Sequence, residues 1–376
     1  MKKFLVMLLA ALMVFSFAAC GGGGGEEAAD DGAMKVAMVT DYGDITDQSF
    51  NQTTYEACKA FCEENGIDFT YKKPASDADA DRVSSIEEAI EEGYNVIVMP
   101  GYAFANAIYE VAPLYPDTKF VALDVSEGDL TAYGDREFDG PNVYSAVYQE
   151  ELAGYMAGYA AVKMGFTKLG FLGGMAVPAV QRYGHGFVQG ADAAAEELGK
   201  SDVEIKYVYG GQFFGDADIT AAMDTWYGSG TEVVFACGGG IYTSAAEAAA
   251  KTGGKVIGVD VDQAAIIDGA YGEGMTVTSA MKGLGATVNT LLGAIKDGHW
   301  DDYAGQIQNL GLVSETPSEN YVQLPESTVW NDGFSQADYE TLVKELFDGT
   351  RTVSNDIEAI PATKVVKVDD QGAMKG

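Results

Sequence analysis

Carboxylates recur in this chain where short apolar runs end. The run Lys35–Thr40 opens into Asp41, and Phe120–Leu123 ends at Asp124. Val259 is followed by Asp260-Val-Asp262-Gln263, and Ala236 by Cys237-Gly238-Gly239-Gly240. An ionised carboxylate only accepts hydrogen bonds, so paired carboxylates suit the vicinal hydroxyls of a sugar, which are neutral and need acceptors in fixed positions. Aromatic rings accompany them: Phe50 between Ser49 and Asn51, and the pair Phe213-Phe214. Two rings facing each other could sandwich a flat heterocycle, worth roughly 1–3 kcal/mol per stacked base. A single such Asp is more often a helix cap, and a single Phe is often a core residue. Several together point to a binding site.

Catalytic chemistry is poorly supplied. Gly199-Lys200-Ser201 resembles the tail of a phosphate loop, but Ala194 stands where the first glycine is required and the run follows a helical stretch. No G-x-S-x-G, H-E-x-x-H or metal-spaced Cys/His pattern is present. Besides Cys20, the thiols Cys58, Cys62 and Cys237 read as small buried hydrophobes, and His185 and His299 are far apart. Gly238-Gly239-Gly240 could cradle a phosphate, yet a tight turn or close ligand approach explains it as well. No catalytic residue, metal or cofactor is expected, and the chain is read as a binding protein.

The elements that would position these residues alternate between β-rich and helical from Met34 onward, the mark of parallel α/β sheets. Strands are expected at Lys35–Thr40, Val96–Met99 and Phe120–Leu123, with helices at Ser49–Glu64, Asp81–Glu92 and Phe104–Leu114. After a helix at Gln149–Met164, whose Gly154 and Gly158 permit close packing, the alternation restarts. Strands are then expected at Lys168–Leu172, Val203–Tyr209, Val233–Ala236 and Lys255–Val259, and helices at Phe187–Leu198, Asp216–Tyr227 and Thr243–Lys251. The pattern implies two similar lobes, and open parallel sheets bind ligands beyond the carboxyl ends of their strands. Those ends are where the carboxylates stand.

The N-terminus reads as an export signal: Lys2 and Lys3, an apolar run from Phe4 to Phe17, then Ala18-Ala19-Cys20. It is too short for a stable membrane span. A cysteine after small residues resembles a bacterial lipobox, with Cys20 as the lipidated residue. The glycine-rich, acidic stretch from Gly21 to Gly32 would serve as a leash. The net charge is −34, and more negative once the two lysines are removed. Such a surface repels nucleic acid and anionic lipid headgroups. It also disfavours a phosphorylated ligand and suits a neutral or cationic one.

In order along the chain stand Asp41-x-Gly43-x-x-x-Asp47-x-Ser49-Phe50-Asn51-Gln52, Gly173-Gly174-Met175, Gly186-Phe187-x-x-Gly190, Gly258-Val-Asp-Val-Asp-Gln263 and Ser279-x-x-Lys282. This set resembles the basic membrane protein family, the purine-nucleoside-binding lipoproteins of bacterial ABC importers, from the lipobox to about Leu324. The resemblance implies an α/β type I periplasmic-binding-protein fold, with two Rossmann-like lobes, a three-strand hinge and an inter-lobe ligand cleft. It implies that Phe50 and either Phe213 or Phe214 sandwich the purine, while Asp41 and Asn51, with Ser49 nearby, bond the base edge. Asp124 and Asp260 would hold the ribose hydroxyls, Gly238 would allow close approach, and Lys282 would reach the sugar or base.

The expected organisation is a signal peptide at 1–19, a tether at 20–33, a first lobe at 34–147 plus about 277–312, and a second at 148–276 plus about 313–376. The expected protein is a membrane-anchored monomer on the extracytoplasmic face, held through lipidated Cys20, capturing a purine nucleoside for an ABC permease and binding no nucleic acid. Two alternatives remain: the same fold binding a sugar or another heterocycle, and, more remotely, a nucleoside hydrolase. A two-lobed DNA-binding regulator is excluded by the export signal and by the lack of a DNA-binding segment.

Overall fold

The computed structural model describes residues 32–41, 43–132 and 139–375. The expected signal peptide, Cys20 and most of the tether lie outside the described residues. From Met34 onward the chain is one unit.

Its first half runs β1 (Lys35–Val39), α1 (Phe50–Asn65), β2 (Asp68–Lys72), α2 (Asp79–Glu91), β3 (Val96–Pro100), α3 (Ala105–Val111), β4 (Lys119–Leu123), α4 (Glu127–Thr131) and β5 (Val143–Tyr148). The second half repeats the scheme with α5 (Glu150–Lys163), β6 (Lys168–Gly173), α6 (Pro178–Leu198), β7 (Glu204–Tyr209), α7 (Ala217–Gly228), β8 (Val233–Cys237), α8 (Tyr242–Ala250), β9 (Lys255–Asp260), α9 (Ala264–Tyr271) and β10 (Thr276–Lys282). The chain then returns through α10 (Leu284–Lys296), β11 (Ile307–Leu310), β12 (Val322–Gln323), α11 (Gln336–Phe347) and β13 (Lys367–Ala373).

Among the described residues the strands form two sheets, ordered β11-β5-β4-β3-β1-β2 and β12-β10-β9-β8-β6-β7-β13. Neighbours are parallel except for the β10–β12 pair. The central strands are buried on both faces, as parallel sheets under helices must be, which is why Val96–Pro100 and Val233–Cys237 contain no exposed position. The six strands of the first order match the first six of the second, with β13 added at the edge, so β4 corresponds to β9 and β3 to β8. Among the described residues no helix is long and apolar enough to cross a membrane.

The chain passes between the sheets after β5, after β10 and between β11 and β12. The three passages lie side by side and are tied by backbone bonds. Gln149 N–H donates to Leu310 C=O at 2.9 Å, Tyr321 N–H to Gly311 C=O at 3.0 Å, and Gly283 N–H to Tyr321 C=O at 2.7 Å. This is the expected three-strand hinge. One boundary differs from expectation. The strand Thr276–Lys282, expected from the sequence to belong to the first lobe, pairs with β9 in the second sheet, and the crossing comes after Lys282. Its register with Val256–Asp260 extends an already twisted parallel sheet, and nothing local to the segment marks which sheet it joins.

Helix α6 also starts nine residues earlier than its expected start at Phe187, with Pro178 in its first turn. Gly184, Gly186 and Gly190 lower its intrinsic propensity, but Gly184 makes room for Phe171 and Tyr207 of the sheet and the other two for α5. A Cβ at Gly186 would sit 2.1 Å from Glu151 O, and one at Gly190 2.0 Å from Tyr155 O. Conversely, Cβ atoms at Gly154 and Gly158 would lie 2.1 Å from Tyr183 O and Phe187 O. The two backbones touch through glycines on both sides. Gly199, at φ 64°, ends α6 as a left-handed cap, so the Gly199-Lys200-Ser201 run is a helix terminus.

Gly158→Ala should therefore cost about 1–3 kcal/mol of stability, because backbone is all that can yield. Gly269→Ala, in α9 with nothing within 4 Å of the new methyl, should be neutral or stabilising by up to about 1 kcal/mol. Urea unfolding of the two variants checks the contrast; equal midpoints would contradict the glycine contact.

Candidate functional site

The loop after β1 is organised by Asp47. Its carboxylate accepts the backbone N–H groups of Ser49 (2.9 Å), Asn51 (3.0 Å) and Gln52 (3.1 Å), capping α1 in place of Ser49, whose side chain makes no cap bond. Asn51 Nδ2 donates to both Asp41 Oδ1 and Asp47 Oδ2, each at 3.2 Å. Two carboxylates around one end of the amide fix that end as the NH2. Asn51 Oδ1 is then a buried acceptor without a partner. The cluster closes only because two glycines give way. A Cβ at Gly43 would lie 1.9 Å from Asn51 Nδ2, and one at Gly101 would lie 2.1 Å from Asp41 Oδ2.

Below this loop lies a knot of buried charge. Lys282, the last residue of β10, places Nζ 2.6 Å from Asp124 Oδ2, 3.4 Å from Glu150 Oε1 and 3.8 Å from Asp260 Oδ1. It also sits 4.5 Å from the centre of the Phe50 ring. Arg182 Nε donates to the other oxygen of Glu150 at 2.6 Å. Asp124 and Asp260 follow or end the corresponding strands β4 and β9, and both take left-handed backbone angles, φ 63° and 64°. Non-glycine residues enter that region at a cost and tend to do so where function requires it. Burial pushes the Asp124 carboxyl up to about 7 against the pull of Lys282, and Asp260 is raised for the same reason. Burial would pull Lys282 down, but Asp124, Asp260 and Glu150 together hold it above the ordinary lysine range. Asp124 Oδ1 has no partner.

A cavity of about 550 Å³ lies between the two sheets, above this knot. Nine of the expected site residues border it: Asp41, Phe50, Asn51, Asp124, Phe213, Phe214, Gly238, Asp260 and Lys282. Ser49 does not. It is fully buried, and its hydroxyl donates across the lobes to Asp260 Oδ2 at 2.5 Å, so it holds a site residue in place of a ligand. The two phenylalanines separate clearly. A Cβ at Gly174 would come 2.5 Å from the Phe213 ring and one at Gly238, 2.9 Å. Phe213 is thus packed on bare backbone as an inner wall, whereas Phe214 is 61% exposed at the rim.

Sequence reasoning missed Tyr102, Val177, Val180, Tyr183 and Cys237, which also border the cavity. Tyr183 and Val180 sit in the part of α6 hidden by its glycines, and the Tyr183 hydroxyl is buried without a partner. His185 is not in the cavity; its Nδ1 lies 3.0 Å from Asp356 O on the C-terminal segment. Lys73 and Lys282 are the cationic side chains on the cavity wall among the described residues, and both are engaged, Lys73 by Asp44 at 2.6 Å. Five aspartates face them. Among the described residues no group of His, Cys, Asp and Glu is arranged to hold a metal ion.

Two corresponding parallel-sheet lobes on a triple hinge, with a cavity between them, define the type I periplasmic-binding-protein fold. The family described as Bmp, ABC transporter substrate-binding protein PnrA-like, matches residues 34–316, and the chain belongs to it. Membership carries a small-molecule ligand and a membrane permease as partner; these relatives are substrate-binding proteins and not enzymes. The ABC transporter nucleoside-binding protein BmpA of Lactococcus lactis subsp. cremoris is 31% identical over 284 residues, 70% of this chain and 76% of that protein. Basic membrane protein B of Borreliella burgdorferi is 27% identical over 83% of this chain and 91% of its own length. An ABC transporter solute-binding protein from Aeropyrum pernix superposes with a TM-score of 0.65 at 22% identity, covering 86% of this chain and 88% of its own, which speaks to the fold alone.

Glu151, beside Glu150 on α5, is raised to about 7 by burial, and its Oε2 has no partner. The folded chain therefore binds a proton there that the unfolded chain releases near pH 4.5, so the group makes stability fall as pH rises from about 4.5 to about 7. Glu151→Gln should flatten that slope, raising stability at pH 8 by about 2–3 kcal/mol and leaving it unchanged at pH 4. Denaturant melts at the two pH values check the sign; a variant less stable at pH 8 would refute it.

Proposed function

We propose that the protein captures purine nucleosides between its lobes and delivers them to an ABC permease. The observation that carries the reading is Phe213, packed on Gly174 and Gly238 as an inner wall of the cavity that Phe50 also borders, with unpartnered acceptors around them. The purine stacks between the rings. Asp124 Oδ1 and the Asp260 carboxylate accept from the ribose hydroxyls, Lys282 orients both carboxylates, and Gly238 allows the close approach. Asn51 and Asp41 meet the base edge. The donors of Asn51 are committed to Asp41 and Asp47, so its Oδ1 favours a base presenting N–H. Guanosine and inosine carry a hydrogen at N1, whereas adenosine offers a lone pair there. The engaged lysines and surplus of aspartates leave no counter-ion for a phosphate. The name of the lactococcal relative supports the same ligand class.

On this reading the lobes comprise roughly residues 34–148 with 284–310 and 150–282 with 312–375, and close about the hinge on the ligand. The Ser49–Asp260 and Gln263–Gln48 bonds cross between them. We also assign Cys20 as the lipidated anchor that holds the monomer on the extracytoplasmic face of the cell membrane; Cys20→Ser should release it into the soluble fraction.

The test is a thermal-shift series on protein refolded free of carried-over ligand, against nucleosides, bases, ribose and nucleoside monophosphates. Guanosine and inosine at about 100 times Kd should add about 2.7 kcal/mol, with adenosine behind them and the monophosphates weakest. Phe213→Ala should weaken binding by about 5–150-fold, the equivalent of one lost stack, and Phe214→Ala by less than about threefold. Stabilisation by ribose alone, or equal binding of a nucleoside and its monophosphate, would overturn the assignment.

A further inference from the structure

The family match ends at residue 316, but the chain continues and returns to the site. Past α11 it runs along one face of α6. Gln189 exchanges two bonds with Ser354, at 2.9 Å each, and His185 meets Asp356. The Asp192 carboxylate takes the N–H groups of Lys364, Val365 and Val366 at 2.9–3.0 Å. Residues 185, 189 and 192 share one face of the helix, so a single stripe clamps the segment. β13 then adds in parallel to the β7 edge, with its register shifting between Asp370 and Ala373.

Beyond β13 the chain lies on the turn that carries Phe213. Met374 N–H donates to Tyr209 C=O at 2.8 Å. The Lys375 carbonyl would lie 2.7 Å from a Cβ at Gly211, whose φ is 81°. Lys375 Nζ reaches Asp216 and Gln212 Oε1, the latter at 3.2 Å. Gln212 Nε2 in turn donates to Phe214 O and Asp216 Oδ2, both at 2.9 Å. On the cavity side the same turn is held by Gly211 N–H on Gly174 O at 2.9 Å and by Gly240 N–H on Phe213 O at 2.8 Å. The turn is gripped from within by the second lobe and from without by the end of the chain.

We propose that Met374 and Lys375 form a brace that positions Phe213 against the ligand, making the C-terminal segment a part of the binding site that touches no ligand itself. Its consequence for affinity rests on the nucleoside reading; its mechanical content does not. Lys375 and Met374 are positioning residues, and any loss they cause must pass through Phe213.

The test uses a chain stopped after Ala373, which keeps β13 and the Asp192 clamp so that folding is not at stake. Without ligand, amide hydrogen exchange across 211–216 should quicken by about tenfold or more, while β1 is unchanged. With guanosine, the truncation should weaken binding about fivefold in the otherwise natural chain and less than about twofold in a Phe213→Ala background, the signature of two changes acting through one group. Unchanged exchange in the turn overturns the brace whatever the ligand is. Equal fold losses in both backgrounds overturn it too, because the tail would then act on the fold at large. Failure of the intact chain to bind any nucleoside defeats the nucleoside reading alone, and the exchange result still decides the brace.

Discussion

The site depends on one buried ammonium. Lys282 lies at the end of a strand of the second sheet, one residue before the chain crosses to the first lobe. Its partners come from both sides: Asp124 from the first sheet, Asp260 from the second, and Glu150 from the start of the helix after another crossing. A lysine so far from water is tolerable only with this many carboxylates around it. Asp124 and Asp260 in turn need it, since burial pushes both carboxyls up and the ammonium pulls against it. Arg182 completes the arrangement by holding the second oxygen of Glu150. The knot ties the hinge, the floor of the cavity and both lobes to a single point.

The correspondence of the two sheets explains how such a point is built. Asp124 and Asp260 occupy equivalent strand ends with nearly identical left-handed angles, and Gly101 and Gly238 follow the equivalent strands β3 and β8 at φ 128° and 139°. Each lobe presents the same device, a strained aspartate beside a glycine that yields space. In the first lobe the space admits Asp41, and in the second it admits the Phe213 ring. At these two glycines the first lobe thus admits an acceptor and the second a flat apolar face. The strain at the aspartates is balanced by the ion pairs that need their carboxylates in those positions.

Much of this was legible in the sequence because strand ends announce themselves. An apolar run that stops at Asp, with a helical pattern after it, places that carboxylate at the mouth of a parallel sheet, and Asp41, Asp124 and Asp260 were found that way. Ser49 lay in the same motif but faces Asp260 across the lobes, a pairing over 211 positions that no local pattern encodes. The early start of α6 was hidden because its glycines argue against a helix until the backbone of α5 is laid against them. Strand β10 was assigned to the wrong sheet since sheet membership is decided by partners far away in the chain. The C-terminal segment carried no motif at all. Its docking is backbone N–H groups on Asp192 and a strand added to an edge, and main-chain bonding leaves almost no trace in side-chain identity.

The division of labour at Asp124 bears on how binding and closure are coupled. One oxygen of its carboxylate is spent on Lys282, across the lobes, and the other has no partner. A ligand hydroxyl that takes the second oxygen need not displace the ammonium from the first, so binding does not trade away an existing interlobe bond. On the proposed nucleoside reading, the neighbouring ribose hydroxyl, reaching Asp260, would add a further tie between lobes that are already joined there. Affinity and closure then rise together, since a ligand shifts the equilibrium only by what it gains in the closed form over the open one. A phosphate at this position would meet two carboxylates with their cation already shared, and would gain nothing by closure.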